Sequence, residues 1–179
     1  NLQWEQVSLY PAGYFTRGIP VQLDVTLPDG WTGAAALDGL KVSGNRYSYA
    51  PTSYETLVDS PMFAGRYFRK WDLGQNVTLN VVADEEKYLA AKPDQIARHA
   101  ALVSETLALF GTKHFDRYEF LLALSDDLGG IGLEHHRSSE NSRNPDYFTE
   151  WDENDSERGL LPHEFTHSWN GKYRRPDKL

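Results

Sequence analysis

Leu160-Leu-Pro-His-Glu-Phe-Thr-His-Ser-Trp-Asn170 contains, in its middle, the pattern His163-Glu164-x-x-His167. On a helix, positions four apart are separated by about 400° of rotation, so the two imidazoles share a face and reach a single ion. Glu164 lies about 100° round from His163, off that face but placed to take a proton from a water on the metal. Zinc lowers the pKa of such a water towards about 7, so the residue types suit the chemistry as well as the spacing. With 6 His in the chain, the pattern arises by accident in roughly one such sequence in a hundred. The bland alternative is a surface helix carrying two incidental histidines. Proline is tolerated only in the first turn, so Pro162 places the helix start just before His163. His163 and His167 are therefore the candidate metal ligands, Glu164 the candidate general base, and Zn²⁺ the expected cofactor.

A second constellation precedes it: Gly129-Gly-Ile-Gly-Leu-Glu134-His135-His136-Arg137-Ser-Ser139. Glycines leading into a short segment, Gly130 and Gly132 among them, let another backbone approach closely. As an edge strand beside a cleft the segment can pair with an extended peptide, and Glu134 then presents a carboxylate to the end of that peptide. Read alone, the signal is weak. Gly-Gly turns are common, and His135 or His136 can simply be exposed.

Working outward, residues 1–83 read as strands and turns. Val21, Leu23, Val25 and Leu27 alternate with polar residues before a Pro28-Asp29-Gly30 turn, and Val77, Leu79 and Val81 alternate likewise. Short strands at this spacing suggest a sandwich, a barrel or part of one. After Asp84 the period changes. Ile96, Ala100, Val103, Leu107 and Phe110 mark one helical face, with Pro93 at its start and Gly111 past its end. Residues 118–124 read as a buried strand, and 137–157 as a long polar, acidic loop with a solvated face. The expected class is α+β: a β-rich, sandwich-like domain over 1–83, then 84–179 as the first part of a second domain.

Composition narrows the function. The net charge is −8 and the pI about 5.2, which argues against nucleic acid as a partner, because phosphate binding needs clustered Lys and Arg. Forty percent apolar residues with 5 Trp, 10 Tyr and 8 Phe are enough for a packed core. No apolar run approaches the roughly 18 residues of a membrane-spanning helix. Without cysteine, a metal site must use His, Asp or Glu.

Taken together, Gly132-Leu-Glu-His135 followed some thirty residues later by His-Glu-x-x-His resembles the aminopeptidase branch of the gluzincin metallopeptidases. The narrower resemblance is to the glycyl aminopeptidase family. It rests on Leu57-Val-Asp-Ser-Pro61, Gly130-Ile-Gly-Leu-Glu-His-His-Arg-Ser-Ser139, His163-Glu-Phe-Thr-His-Ser-Trp-Asn170 and Arg174-Arg-Pro176. That family joins a β-rich domain, a thermolysin-like catalytic domain and a PDZ domain.

The resemblance implies that His163 and His167 bind zinc, that Glu164 is the base, and that Glu134 recognises the free amino group of a peptide substrate. It also implies removal of N-terminal residues, glycine or alanine among them, and a periplasmic or secreted setting, with the cytoplasm as the alternative. One departure matters. The family's third ligand is a glutamate downstream, and the twelve residues after His167 contain none. The chain, which starts Asn1-Leu2-Gln3, is therefore expected to be an N-terminal portion, completed by the rest of its catalytic domain and a PDZ domain. Two rivals remain: an endopeptidase of the same clan, and a non-catalytic binding module with a vestigial metal site.

Overall fold

The computed structural model describes residues 1–175, so Pro176 of the Arg174-Arg-Pro176 stretch lies outside the described residues. Up to Gly65 the chain forms short strands: β1 (Pro20–Val21), β2 (Asp24–Thr26), β3 (Thr32–Ala35), β4 (Lys41–Ser43), β5 (Arg46–Ser48), β6 (Thr52–Ser53) and β7 (Met62–Gly65). They pair antiparallel as β2-β5-β4, β1-β6 and β3-β7 around Trp4, Leu27, Leu37, Tyr47, Tyr49, Tyr54, Leu57 and Met62. The Pro28-Asp29-Gly30 turn is present, with Gly30 at φ 77° and the Trp31 N–H donating to the Pro28 carbonyl at 3.0 Å. A helix of five residues, α1 (Tyr54–Val58), interrupts the strands. It is too short to show a period, and its N-cap, Ser53 accepting from the Thr56 N–H at 3.1 Å, is its one local signature.

A single mixed sheet forms the second half: β8 (Tyr67–Asp72), β9 (Val77–Ala83), β10 (Tyr118–Leu124), β11 (Gly132–Glu134) and β12 (Ser138–Arg143), in spatial order β11-β12-β10-β9-β8. Strand β10 runs parallel to both β9 and β12, while β8 and β11 are antiparallel edges. Hydrogen bonding therefore places residues 67–83 in this sheet. The change of period after Asp84 marks the way into the crossover helix α2 (Pro93–Phe110), not an edge of the sheet. Strands β9 and β10 are buried on both faces. Val77, Leu79, Val81, Phe120, Leu122 and Leu124 pack in the core with Val103 of α2, while Val82, Leu121 and Ala123 face Phe63 of β7. Double burial explains why 118–124 is nearly all apolar.

Helix α2 starts at Pro93 and is closed by Gly111 at φ 64°. Its buried side is centred on Gln95, His99, Val103 and Thr106, with the predicted Ile96, Ala100, Leu107 and Phe110 half-buried along the flank. The polar members are satisfied: Gln95 donates to the Phe148 carbonyl at 2.9 Å and His99 meets the Tyr147 hydroxyl at 3.0 Å.

That contact corrects the reading of 137–157 as a solvated loop. Tyr147 and Phe148 are core residues, and Ser138–Arg143 is an interior strand whose Ser138, Ser139, Glu140, Asn141 and Ser142 are all buried. The stretch looked like loop because its interior contacts are polar. Asn141 donates to the Leu121 carbonyl at 3.1 Å, and Glu140 accepts from Asn1 at 2.7 Å and from His135 at 3.0 Å.

His135, for which plain exposure is the bland reading, is 6% exposed and lies between Asp59 at 3.2 Å and Glu140 at 3.0 Å. Burial opposes its charged form, but hydrogen bonds to the two carboxylates outweigh that and raise its pKa above 6.5. Burial likewise opposes the charges of Asp59 and Glu140, yet the His135 contacts hold both below their ordinary values of 3.8 and 4.5. A raised histidine stabilises the fold fully below pH 6.5 and loses that effect as pH rises through the folded value. The depressed carboxylates stabilise above about pH 4.5 and lose their effect as pH falls through their folded values.

The cluster is therefore most effective between pH 4.5 and 6.5. Inside that window His135→Gln should cost about 3 kcal/mol, because two buried carboxylates lose their counter-charge. The difference from wild type should shrink at higher pH. Urea unfolding of both proteins across pH checks this, and a pH-independent difference would show that His135 folds as the neutral base.

Candidate active site

The ligand pattern lies on α3 (Leu160–His167), with Pro162 in the first turn, where its missing N–H removes no helical bond. Leu161, Phe165 and Trp169, four residues apart, form the buried side. Phe165 packs on Tyr118 and Phe120 of β10, with ring centroids at 4.7 and 5.1 Å. This packing turns His163 and His167 away from the core. Their Nε2 atoms converge to 3.2 Å, close to the roughly 3.3 Å between two nitrogens sharing one tetrahedral zinc at about 2.0–2.1 Å. His167 Nδ1 lies 3.1 Å from the Asn170 carbonyl. A carbonyl only accepts, so Nδ1 carries the proton and Nε2 keeps its lone pair for a metal. The donor pair thus fits two positions of a zinc site. Among the described residues no group of three metal-binding side chains forms, so no third side chain joins the two histidines there.

Glu164 is 4% exposed, and what covers it is the edge strand. A Cβ on Gly132 would lie 2.5 Å from the Glu164 Oε1 and 2.7 Å from the Leu160 Cδ1. The carboxylate occupies the space a side chain would need. Burial pushes the Glu164 carboxyl up, and Glu134 pushes it further, while His163 and His167 act against both.

Gly130, at φ 66°, makes the turn into β11. Strand β11 pairs with β12 on one side only, and among the described residues its outer edge carries no strand. Glu134, half-buried at the end of β11, lines a cavity of about 960 Å³ with Glu55, Asp59, His136 and Lys172. The structure therefore brings Gly132, Glu164, His163 and His167 to one place, with Glu134 further along the strand and Gly130 behind it.

Sequence reasoning missed the residues that hold these parts in register. The Ser168 hydroxyl donates to the His136 carbonyl at 3.1 Å and also meets His114 Nε2 at 3.1 Å. The Trp169 indole N–H donates to the Thr112 carbonyl at 3.1 Å. Asn170 orients His167 through its main chain, which no side-chain pattern reveals. The available signal for His135 was its place next to Glu134, together with an aspartate in Leu57-Val-Asp-Ser-Pro61.

The fold is similar to part of three solved structures. The chain matches an aminopeptidase N family protein from Idiomarina loihiensis with a TM-score of 0.66 and 23% identity, over 90% of this chain and 29% of that one. Leukotriene A4 hydrolase from Saccharomyces cerevisiae matches with a TM-score of 0.54 and 13% identity, over 86% of this chain and 23% of the hydrolase. A second native structure of the yeast hydrolase gives 0.55 and 14%, over 84% and 22%. The chain thus spans less than a third of the length of these structures. No curated protein matches it. Residues 1–66 match the Peptidase M61 N-terminal domain, and residues 156–179 match M61 glycyl aminopeptidase. The chain belongs to this glycyl aminopeptidase family, and the α+β class expected from the sequence holds.

The contact between Gly132 and Glu164 is open to test by substitution. Gly132→Ala should displace the Glu164 carboxylate and the Leu160 methyl, the side-chain ends that the new Cβ would meet, and cost about 1 kcal/mol with strand and helix left in place. Denaturant unfolding of wild type and variant measures it. A loss of several kcal/mol would show that neither side chain can yield and that the strand itself has to move.

Proposed function

We propose that the protein is a zinc-dependent aminopeptidase whose catalytic groups include His163, Glu164 and His167. The observation carrying this reading is the convergence of two imidazole Nε2 atoms to 3.2 Å beside a buried carboxylate, itself covered by an open-edged strand. Zinc held by the two histidines would polarise the scissile carbonyl and acidify water. Glu164 accepts the proton of the attacking water at a carboxylate oxygen and returns it to the leaving amine. Its raised pKa strengthens it as a base for that task. The free edge of β11 aligns an extended peptide, with Gly132 keeping the main chain close to Glu164 and Glu134 pairing with the substrate ammonium. The cavity beyond Glu134 also favours a second reading, an endopeptidase whose substrate continues past that carboxylate.

Two kinetic measurements on the protein as encoded by its gene, and one titration of residues 1–179, test these assignments. Glu164→Gln should keep its zinc and lose about 10²- to 10⁴-fold in kcat. Near-normal turnover in the zinc-loaded variant would remove Glu164 as the base. Glu134→Ala should lower kcat/KM for free-amine peptides by about 10- to 150-fold and narrow their lead over acetylated ones. If the wild type cleaves acetylated peptides equally well, the endopeptidase reading replaces the first. Calorimetric titration of residues 1–179 with zinc should show weak binding or none, since two side-chain ligands fall short of the usual three. Tight one-to-one binding would mean that a third ligand lies within these residues.

A further inference from the structure

The three residues after Glu134 all bind the β-rich N-terminal part. The His135 ring joins Asp59, at the end of α1, to Glu140 of β12, at 3.2 and 3.0 Å. The His136 N–H donates to the other Asp59 oxygen at 2.8 Å. Arg137 donates to Asp38 at 3.1 Å and to the Ala36 carbonyl at 3.1 Å. On the far side, Ser168, the residue after His167, donates to the His136 carbonyl at 3.1 Å. The turn that ends β11 is therefore suspended between the N-terminal part and the ligand helix. The anchors are themselves secured: Lys172 reaches Asp59 at 3.3 Å, and Asn1 reaches Glu140 at 2.7 Å. Leu2 exchanges main-chain hydrogen bonds of 2.8 and 3.0 Å with Met62, which fixes the N-terminal residues that meet Glu140.

We propose that His135 is a positioning residue for Glu134, and that through it the N-terminal part forms a component of the amine-recognition site. Carboxylates only accept, so a ring with one on each nitrogen must donate from both, and the two contacts fix its plane and position. A strand three residues long with a free edge has little else to hold it. Glu134 is the residue immediately before this clamp, and an ammonium contact demands placement to a few tenths of an ångström. The inference rests on the reading of Glu134 as the amine-binding group.

Competitive inhibition by alaninamide and by propionamide, which lacks the amino group, isolates ammonium recognition. Wild type should bind alaninamide more tightly. His135→Gln, which can donate to only one carboxylate at a time, should cut that advantage about tenfold, as loss of a well-placed charged contact does. Asp59→Asn, on a residue 76 positions away in sequence, should act in the same direction. It is the milder change and keeps the test open if the first variant does not fold. Both are compared with wild type at a temperature where circular dichroism shows the fold intact and with zinc content measured. Folded variants that keep the full preference for alaninamide overturn the inference and leave the role of Glu134 standing. Equal inhibition of wild type by the two amides removes that role and the inference with it.

Discussion

Strand β11 passes α3 at Gly132, where the side-chain ends of Glu164 and Leu160 lie against the glycine. The place where a Cβ of residue 132 would stand is taken by Glu164, and this close approach sets most of the surrounding architecture. The strand has to arrive at the helix over Gly132, so it needs the left-handed turn at Gly130. The helix has to present Glu164 sideways to the strand, so its buried stripe must be Leu161, Phe165 and Trp169, leaving His163 and His167 free to converge. Because the strand covers it, Glu164 is a buried acid with a raised pKa, not a solvated one.

The same approach explains the polar interior. Strand β12 lies between the apolar β10 and the edge strand β11, and its side chains meet main-chain groups and charges in place of other apolar side chains. Asn141 reaches across to Leu121, and Ser142 donates to the Leu128 carbonyl. Glu140 is 1% exposed and sits opposite His135. A buried polar network is favourable only when its members are matched, and then it specifies one arrangement against its near alternatives. For Glu140 the matching partners are Asn1, Gln3 and His135, the last also held by Asp59 after α1, so that arrangement spans both halves of the molecule. The Ser138 hydroxyl and the Asn141 Oδ1 have no partner among the described residues.

Much of this was legible in local pattern. The helix from Pro93 to Gly111, the buried strand 118–124 and the helical placement of His163, Glu164 and His167 all follow from periods of 3.6 and 2, together with Pro and Gly punctuation. What failed was the inference from polarity to exposure. Ser138–Ser142 and His99 are polar and buried because their partners are distant in sequence, and a window of ten residues carries no trace of Asn1 or Tyr147. The grouping of residues 67–83 was hidden in the same way, since parallel pairing with β10 is decided by a strand some forty residues further on.

By itself, then, the sequence determined the secondary elements with strong periodicity, the spacing of the two imidazoles, the carboxylate between them and the family resemblance those residues carry. Each of these depends on neighbours within about a helical turn or along a strand. Tertiary structure alone decided that Gly132 lies against Glu164, that His135 bridges two carboxylates, that a polar segment becomes an interior strand and that the residues after Glu134 are held by the N-terminal part. These depend on contacts between groups far apart along the chain, where burial and the pairing of charge, not local propensity, select the arrangement.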